Sequence, residues 1–382
     1  MNDFDYYNPT KIIFGVNRIS AIRFEIPKDA NVLLMYGQES VKSNGIYNEI
    51  IEILTDYNIW EFSGIKPNPT YEYLVDAMEL IKQENINFIL AVGGGSVIDA
   101  AKFVSVASFL EDSWKEMSYI KRYTKKIPVG VILTLPATGS EMNGSFVVTR
   151  ESDCYKRLFL EPAVYPLFSV LDPRVVLSLP SNQIANGVVD AFSHVIEQYI
   201  TYPSASYLQD GYAETILRTL IEIGPKIIKN TGNYDLNSNF MWCTTMALNK
   251  LIGSGVPQDW SSHMIGQELT ALYGIDHACT LAIILPSLLN VQKQQKLDKL
   301  GQYAKNVWNI TDTSKNSIAD KVIERTEQFF HSLGIKTKLH EYGVTNASQI
   351  IPDKMHKNGL LPLGEHLDID KHKVEKILAM CT

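Results

Sequence analysis

The strongest constraint on the fold is a set of continuous apolar runs of strand length in the first half of the chain, NVLLMYG, INFILAV and VGVIL, with helical patterns between them. A strand that is apolar at every position has no face for water, so it must be covered on both sides. Strands alternating with helices at this spacing return through right-handed crossovers, which gives a parallel, doubly wound, Rossmann-like sheet. PTKIIFG opens the series as a short strand, and LFSVLDPRVVLSLP closes it. Between them the pattern predicts a helix over 45–57, a strand over 59–62, and a helix after Asn68 with Pro69 in its first turn, where a missing N–H costs nothing.

From Ser181 onward the character changes. Helical periodicity dominates in YLQDGYAETILRTLIEI, FMWCTTMALNKLIG and KVIERTEQFFHSLG. The expected division is an α/β domain over 1–180 and an all-α domain over 181–382, with the boundary in a proline-bearing turn near Pro180. At 382 residues, 45% hydrophobic and 20% charged, the chain can bury a large core in two domains without staples. A formal net charge of −7 and no basic run with interleaved aromatics argue against nucleic acid and anionic membrane as partners. MNDFDYYNPT lacks a basic segment and an apolar core, and no stretch reaches the roughly 18 apolar residues of a membrane span, so a cytoplasmic location is expected. Cys154, Cys243, Cys279 and Cys381 are widely spaced with no C-x-x-C, which predicts reduced, structural thiols.

Ligands bind doubly wound sheets at the carboxyl ends of the strands, and GGGSVIDAAK lies at such an end. Gly93, Gly94 and Gly95 allow close backbone approach. Ser96 and the free N–H groups of a helix over 97–110 offer donors and a positive dipole end to a diphosphate. The motif is not a Walker loop, because no GK[ST] follows, nor the ordinary G-x-G-x-x-G, because Asp99 stands last. A second glycine-bearing turn, LPATGSEMNGS, brings Thr138 and Ser140 as further donors near the same crevice. After the first buried strand, Gly37, Gln38, Glu39 and Ser40 would lie near an adenosine ribose. There Glu39 can accept from a 2′-hydroxyl and would repel a 2′-phosphate, while Lys42 pulls the other way.

The helical half carries a different chemistry. In NGVVDAFSHVIEQYI, Asp190 and His194 stand four residues apart in an apolar run and project from one helix face, where they can grip one ion. In QDWSSHMIGQELTALYGIDHACTLAIILP, His263 falls in the first turns of a helix, and the Gly274 and Asp276 turn presents His277 at the start of the next. Packed on the Asp190 helix, these two helices would bring in one imidazole each. Four protein donors with one open position make a working site for a divalent transition metal, and the mixed oxygen and nitrogen set suits iron or zinc. If the metal set belongs to one half and the glycine loop to the other, catalysis is expected where the two halves meet.

PTKIIFG, GGGSVIDAAK, TLPATGSEMN, FSVLDP, NGVVDAFSHVIEQY and GVPQDWSSHMIGQELTALYGIDHA together resemble the iron-containing (group III) alcohol dehydrogenase family, on its aldehyde reductase and butanol dehydrogenase branch. The resemblance covers nearly the whole chain. It implies a dinucleotide-binding domain, a helical domain of the dehydroquinate synthase type, a homodimer, and Asp190, His194, His263 and His277 as metal ligands. It further implies that Gly94, Gly95, Ser96 and Asp99 hold the diphosphate, with Thr138, Ser140 and Lys156 lining the rest of the groove.

The implied activity is hydride transfer between NAD(P)H and a short-to-medium-chain aldehyde or alcohol. Two departures stand out. Gln267 occupies the place of a proton-relay histidine found in many members, and Gln38 with Glu39 stands where the branch tends to have glycines, so NADPH follows from the branch but NADH from Glu39. A metallohydrolase using the same ligands, or a nucleotide-sensing binding protein without turnover, are the rival readings.

Overall fold

The computed structural model describes residues 1–38, 40–43, 45–117, 123–312 and 314–382. Two compact units emerge. One comprises Tyr7–Leu179 and Thr231–Met241, and the other Met1–Tyr6, Pro180–Asn230 and Trp242–Thr382.

The first unit holds a six-stranded, all-parallel sheet in the order β1-β8-β5-β4-β2-β3. The strands are β1 (Lys11–Phe14), β2 (Asn31–Tyr36), β3 (Asn58–Phe62), β4 (Phe88–Gly94), β5 (Val129–Leu135) and β8 (Phe168–Leu171). The runs that read as apolar at every position are the central ones. Leu33, Leu34, Ile89, Leu90, Val131 and Ile132 are all buried, and each such side chain contributes roughly 1.5–3 kcal/mol relative to exposure. From β2 the chain steps to β3 on one side, then crosses to β4 on the other and continues to β5 and β8. The order therefore reverses between β2 and β4, and their adjacent carboxyl ends, Tyr36 and Gly94, flank the switch point where doubly wound sheets bind ligands.

Several local expectations are corrected. The helix read over 45–57 spans Ile46–Ile53: Gly45 at φ 84° precedes it, and at its other end Thr55 Oγ1 donates to the Glu52 carbonyl (2.8 Å) and Tyr57 N to the Leu54 carbonyl (2.9 Å), turning the chain toward β3. Pro69 stands before its helix, Tyr71–Gln83, not inside it. Asn68 at φ 55° is left-handed and keeps the helix from starting there, and the pairing of Thr70 with Thr149 holds the residue before the helix extended. The glycine-loop helix is Gly95–Ala107. An antiparallel hairpin, β6 (Ser145–Arg150) with β7 (Tyr155–Leu160), was not anticipated. The four cysteines are free, but Cys154 is exposed rather than structural.

In the second unit the helix Ser181–Tyr199 packs against helices Tyr207–Lys229 and His277–Val291 and is buried over nearly all of its last four turns. Its Phe192 ring lies 5.2 and 5.6 Å from those of Phe329 and Phe330. Helices Ser261–Tyr273 and His277–Val291 approach closely at Gly266, where a Cβ would sit 2.7 Å from Thr280 Oγ1. Gly274 at φ 67° closes the first of them and lets His277 open the second. No described helix is long and apolar enough to cross a membrane.

A buried ammonium organises the α/β unit beneath its glycine turn. Lys102 Nζ donates to Ser140 Oγ (2.8 Å), Asn143 Oδ1 (3.2 Å) and the Ser145 carbonyl (2.8 Å), using all three protons. Ser140 Oγ in turn donates to Asp99 Oδ1 (2.7 Å), and Val147 N donates to Asp99 Oδ2 (2.9 Å). Burial pushes the Asp99 carboxyl up, and the Lys102 ammonium pulls it back toward the ionised form. Lys102→Met should therefore cost about 3–5 kcal/mol, the order expected when one partner of a buried charge network is removed. Calorimetry on the purified variant would read this as a lowered unfolding midpoint, and an unchanged midpoint would show that the network carries no stability.

Candidate metal centre

Helix Ser181–Tyr199 brings Asp190 and His194 one turn apart onto the same face. His263 is the third residue of Ser261–Tyr273 and His277 the first of His277–Val291. The three imidazoles converge on one oxygen: Nε2 of His194, His277 and His263 lie 3.6, 3.7 and 3.8 Å from Asp190 Oδ1. The donor atoms of Asp190, His263 and His277 fall within 4.8 Å of one another.

These separations exceed hydrogen-bond length. They match donors around a shared cation, since ligands about 2.1 Å from a tetrahedral centre stand about 3.4 Å apart. Asp190 Oδ1 and His263 Nε2 are buried and have no hydrogen-bond partner among the described residues. Leaving such atoms unsatisfied costs about 1–3 kcal/mol each, and a cation at the centre removes that cost. The donor set therefore fits a divalent metal.

Electrostatics favours the ligating forms of Asp190 and His194, whereas His263, set between two carboxylates, holds its proton until a cation displaces it. Burial works against the Asp190 carboxylate, but His194, His263 and His277 outweigh it and hold the group well below the usual carboxylate range. Burial pushes His194 down to about 4, so its ring is neutral at physiological pH. Burial would lower His263 too, but Glu197 and Asp190 prevail and raise it to about 9.

Three residues absent from the sequence reading shape this centre. Glu197 stands two turns after Asp190 on the same helix, is buried, and meets His263 Nδ1 through Oε2. Asn186, one turn before Asp190, donates from Nδ2 to Asp276 Oδ2 (3.2 Å), beside His277. Trp260 sets its indole 5.4 Å from the His263 ring and 6.2 Å from that of His194, walling the centre on one side. The signal for the first two was periodic: Asn186, Asp190, His194 and Glu197 recur every three or four positions along one helix face.

The start of the His263 helix is fixed from behind. Lys296 Nζ, buried, donates to the Ile200 carbonyl (2.9 Å) and Glu365 Oε1 (2.6 Å) and lies 3.1 Å from Asp259 Oδ2. Asp259 accepts from Ser261 N (3.1 Å), and its own N–H donates to the Glu197 carbonyl (2.8 Å). Gln267 is half-buried one turn beyond His263.

In the α/β unit, the N-terminus of helix Gly95–Ala107 has no side-chain cap, so its first N–H groups remain available to an anion at the switch point. The close approach permitted by the glycines is to the protein itself. A Cβ would sit 2.5 Å from Val97 at Gly93, 2.9 Å from Leu135 at Gly94 and 2.6 Å from Thr138 at Gly95. Thr138 Oγ1 accepts from Ser140 N (3.2 Å), whereas the Ser140 proton and both Asp99 oxygens are engaged internally. Lys156 Nζ donates to Asn68 Oδ1 (2.8 Å). Gly37 and Gln38 follow β2, and Ser40 opens the short helix Ser40–Ser43. Lys42 Nζ lies 5.6 and 5.5 Å from the Tyr36 and Tyr47 rings. Glu39 lies outside the described residues.

The sequence matches two family profiles, "Iron-containing alcohol dehydrogenase" over residues 9–173 and "Fe-containing alcohol dehydrogenase family, C-terminal" over 184–379. It is 47% identical to the NADPH-dependent aldehyde reductase YqhD of Escherichia coli, covering 97% of each chain. It is 38% identical to the NADH-dependent butanol dehydrogenase A of Clostridium acetobutylicum over 90% of each. Among solved structures, that of Escherichia coli YqhD superposes with a TM-score of 0.98 at 45% identity, covering 100% of this chain and 99% of that one. The NADH-dependent butanol dehydrogenase A of Thermotoga maritima gives 0.95 at 31% identity, with coverage of 100% and 99%. The chain belongs to the iron-containing alcohol dehydrogenase family.

Proposed function

We propose that this protein is a metal-dependent alcohol dehydrogenase or aldehyde reductase that transfers a hydride between NAD(P)H and a short-to-medium-chain aldehyde or alcohol. The observation that carries the reading is the convergence of three imidazole Nε2 atoms on the buried Asp190 Oδ1. Asp190, His194, His263 and His277 would hold one divalent ion, iron or zinc. Such an ion, when bound, supplies Lewis-acid polarisation of a substrate oxygen, worth several kcal/mol.

The chain's own residues supply the rest. His194, lowered by burial to about 4, would hold the ion as a neutral ring, and Trp260 keeps one side of the centre apolar, which strengthens charge interactions there. Gln267 has no useful pKa, so the proton for the alcohol product comes from water or a ribose hydroxyl. In the α/β unit, the uncapped N–H groups after Gly94 and Gly95, together with Ser96, would receive the diphosphate. Thr138 and Lys156 would line the groove, and Gly37 to Ser40 would meet the ribose. Asp99 and Ser140 would serve the cofactor by holding that turn in shape, given their internal bonds. A hydrolase on the same ligands would leave the uncapped turn at the switch point without a use.

The enzyme is proposed to be cytoplasmic and a homodimer. The free cysteines suit a reducing compartment. Open edge strand β1 and the exposed Phe14, Val16 and Phe24 suit contact with a second copy. Light scattering should give twice the 43.0 kDa chain mass; a monomer at micromolar concentration would refute the dimer.

His263→Ala should lose bound metal and turnover together, by roughly a thousandfold in kcat for NADPH or NADH with butanal. A variant that loses metal yet keeps full activity would overturn the assignment. YqhD is NADPH-dependent and the butanol dehydrogenases are NADH-dependent by name, so coenzyme choice turns on the residue near the 2′ position. Glu39→Gly should raise the NADPH-to-NADH ratio of kcat/KM about tenfold, equivalent to about 1.4 kcal/mol of relieved repulsion. An unchanged ratio would remove Glu39 from the coenzyme site.

A further inference from the structure

We infer that Glu197 is a positioning residue that fixes which nitrogen of His263 faces the metal centre, an inference that rests on the four-donor reading above. Glu197 lies on the helix that supplies Asp190 and His194, and its carboxylate is buried with three N–H groups converging on it. Oε1 accepts from the backbone N–H of Ser262 (2.7 Å) and of His263 (3.2 Å). Oε2 takes His263 Nδ1.

The two contacts do separate jobs. Trp260 holds the N-cap position of helix Ser261–Tyr273 and makes no side-chain cap, while Asp259 takes only the Ser261 N–H of that helix. Glu197 therefore supplies the missing acceptor from a neighbouring helix, with a negative charge at the positive dipole end. That contact fixes the backbone of His263. The bond to Nδ1 fixes the ring: with a proton held at Nδ1, Nε2 is the nitrogen that faces Asp190 Oδ1, 3.8 Å away, and that would be free to ligate a cation there. A carboxylate beside the distal nitrogen also makes the ligating nitrogen more basic.

Only an acceptor at both ends satisfies three donors. An amide of the same shape has one acceptor end and one donor end. In Glu197→Gln, carbonyl oxygen toward the two backbone N–H groups leaves NH2 facing Nδ1. The ring then accepts there and carries its proton on Nε2, where it cannot ligate. The opposite amide orientation would press NH2 against two N–H groups. The isostere therefore keeps volume and packing while reversing the tautomer.

The test is a titration of chelator-stripped protein with cobalt(II), read by visible absorption, for the parent, Glu197→Gln and His263→Ala. Glu197→Gln should bind cobalt(II) about 10–100-fold more weakly, with the metal-free unfolding midpoint within a few degrees of the parent. Parent-like affinity in that variant would overturn the inference. Should the variant fail to fold, nitrogen-15 spectra of the zinc-loaded parent decide instead: a protonated Nδ1 on His263 supports the role and a bare Nδ1 refutes it. A parent that binds no cobalt(II) would instead bring down the four-donor reading itself, an outcome distinct from equal binding by parent and Glu197→Gln.

Discussion

The helical unit is organised around a buried negative charge. Asp190 is enclosed between the buried apolar pairs Val188, Val189 and Ala191, Phe192, and an isolated carboxylate in that position would cost several kcal/mol. The fold delivers three imidazoles to one of its oxygens, making a site where a shared cation would offset that cost. Each delivery has its own support. Gly266 lets the two histidine-bearing helices approach, Gly274 turns the chain between them, and Asn186 ties the Asp276 turn to the Asp190 helix. One face of one helix thus carries two of the converging side chains together with the groups that hold the segments bearing the other two.

The α/β unit solves a comparable problem for a different purpose. Asp99 and Lys102 are enclosed at the base of the glycine turn and linked through Ser140, so the turn is braced from beneath by charge as well as by packing. Gly93, Gly94 and Gly95 are needed because Val97, Leu135 and Thr138 fill the space a side chain would take. The result is a rigid, uncapped helix end at the point where strand order reverses. Rigidity matters there, since a preformed set of N–H donors binds an anion without first having to be ordered.

The parts of the fold that were legible are those where burial leaves one solution. NVLLMYG and INFILAV admit no solvated face, and both are central parallel strands. The hairpin was hidden because SFVVTR and YKRLFL mix apolar, aromatic and basic residues without a clean alternation, and their pairing is set by contacts across the turn. Pro69 misled for a related reason: a proline that fits the first turn of a helix fits an extended approach equally well, and the pairing with Thr149 decides between them. Asp190, His194, His263 and His277, which the structure brings together, stood out because such residue types are rare among apolar helical stretches. Glu197 was not singled out, since an acidic residue near a helix end is ordinarily solvated.

What the sequence determined by itself is periodicity and chemistry: which runs must be covered on both faces, which helix faces carry an oxygen or imidazole donor, and where a glycine turn ends a strand. Those follow from local geometry, in which spacing along the chain fixes direction in space. The tertiary structure alone decided that three imidazoles from three helices meet at one oxygen, that Asp99 and Ser140 turn inward to Lys102, and that Glu197 reaches a helix beginning more than sixty residues later. Such contacts depend on how whole elements pack, and packing is set by the summed shape and burial of many side chains, which no single stretch of sequence contains.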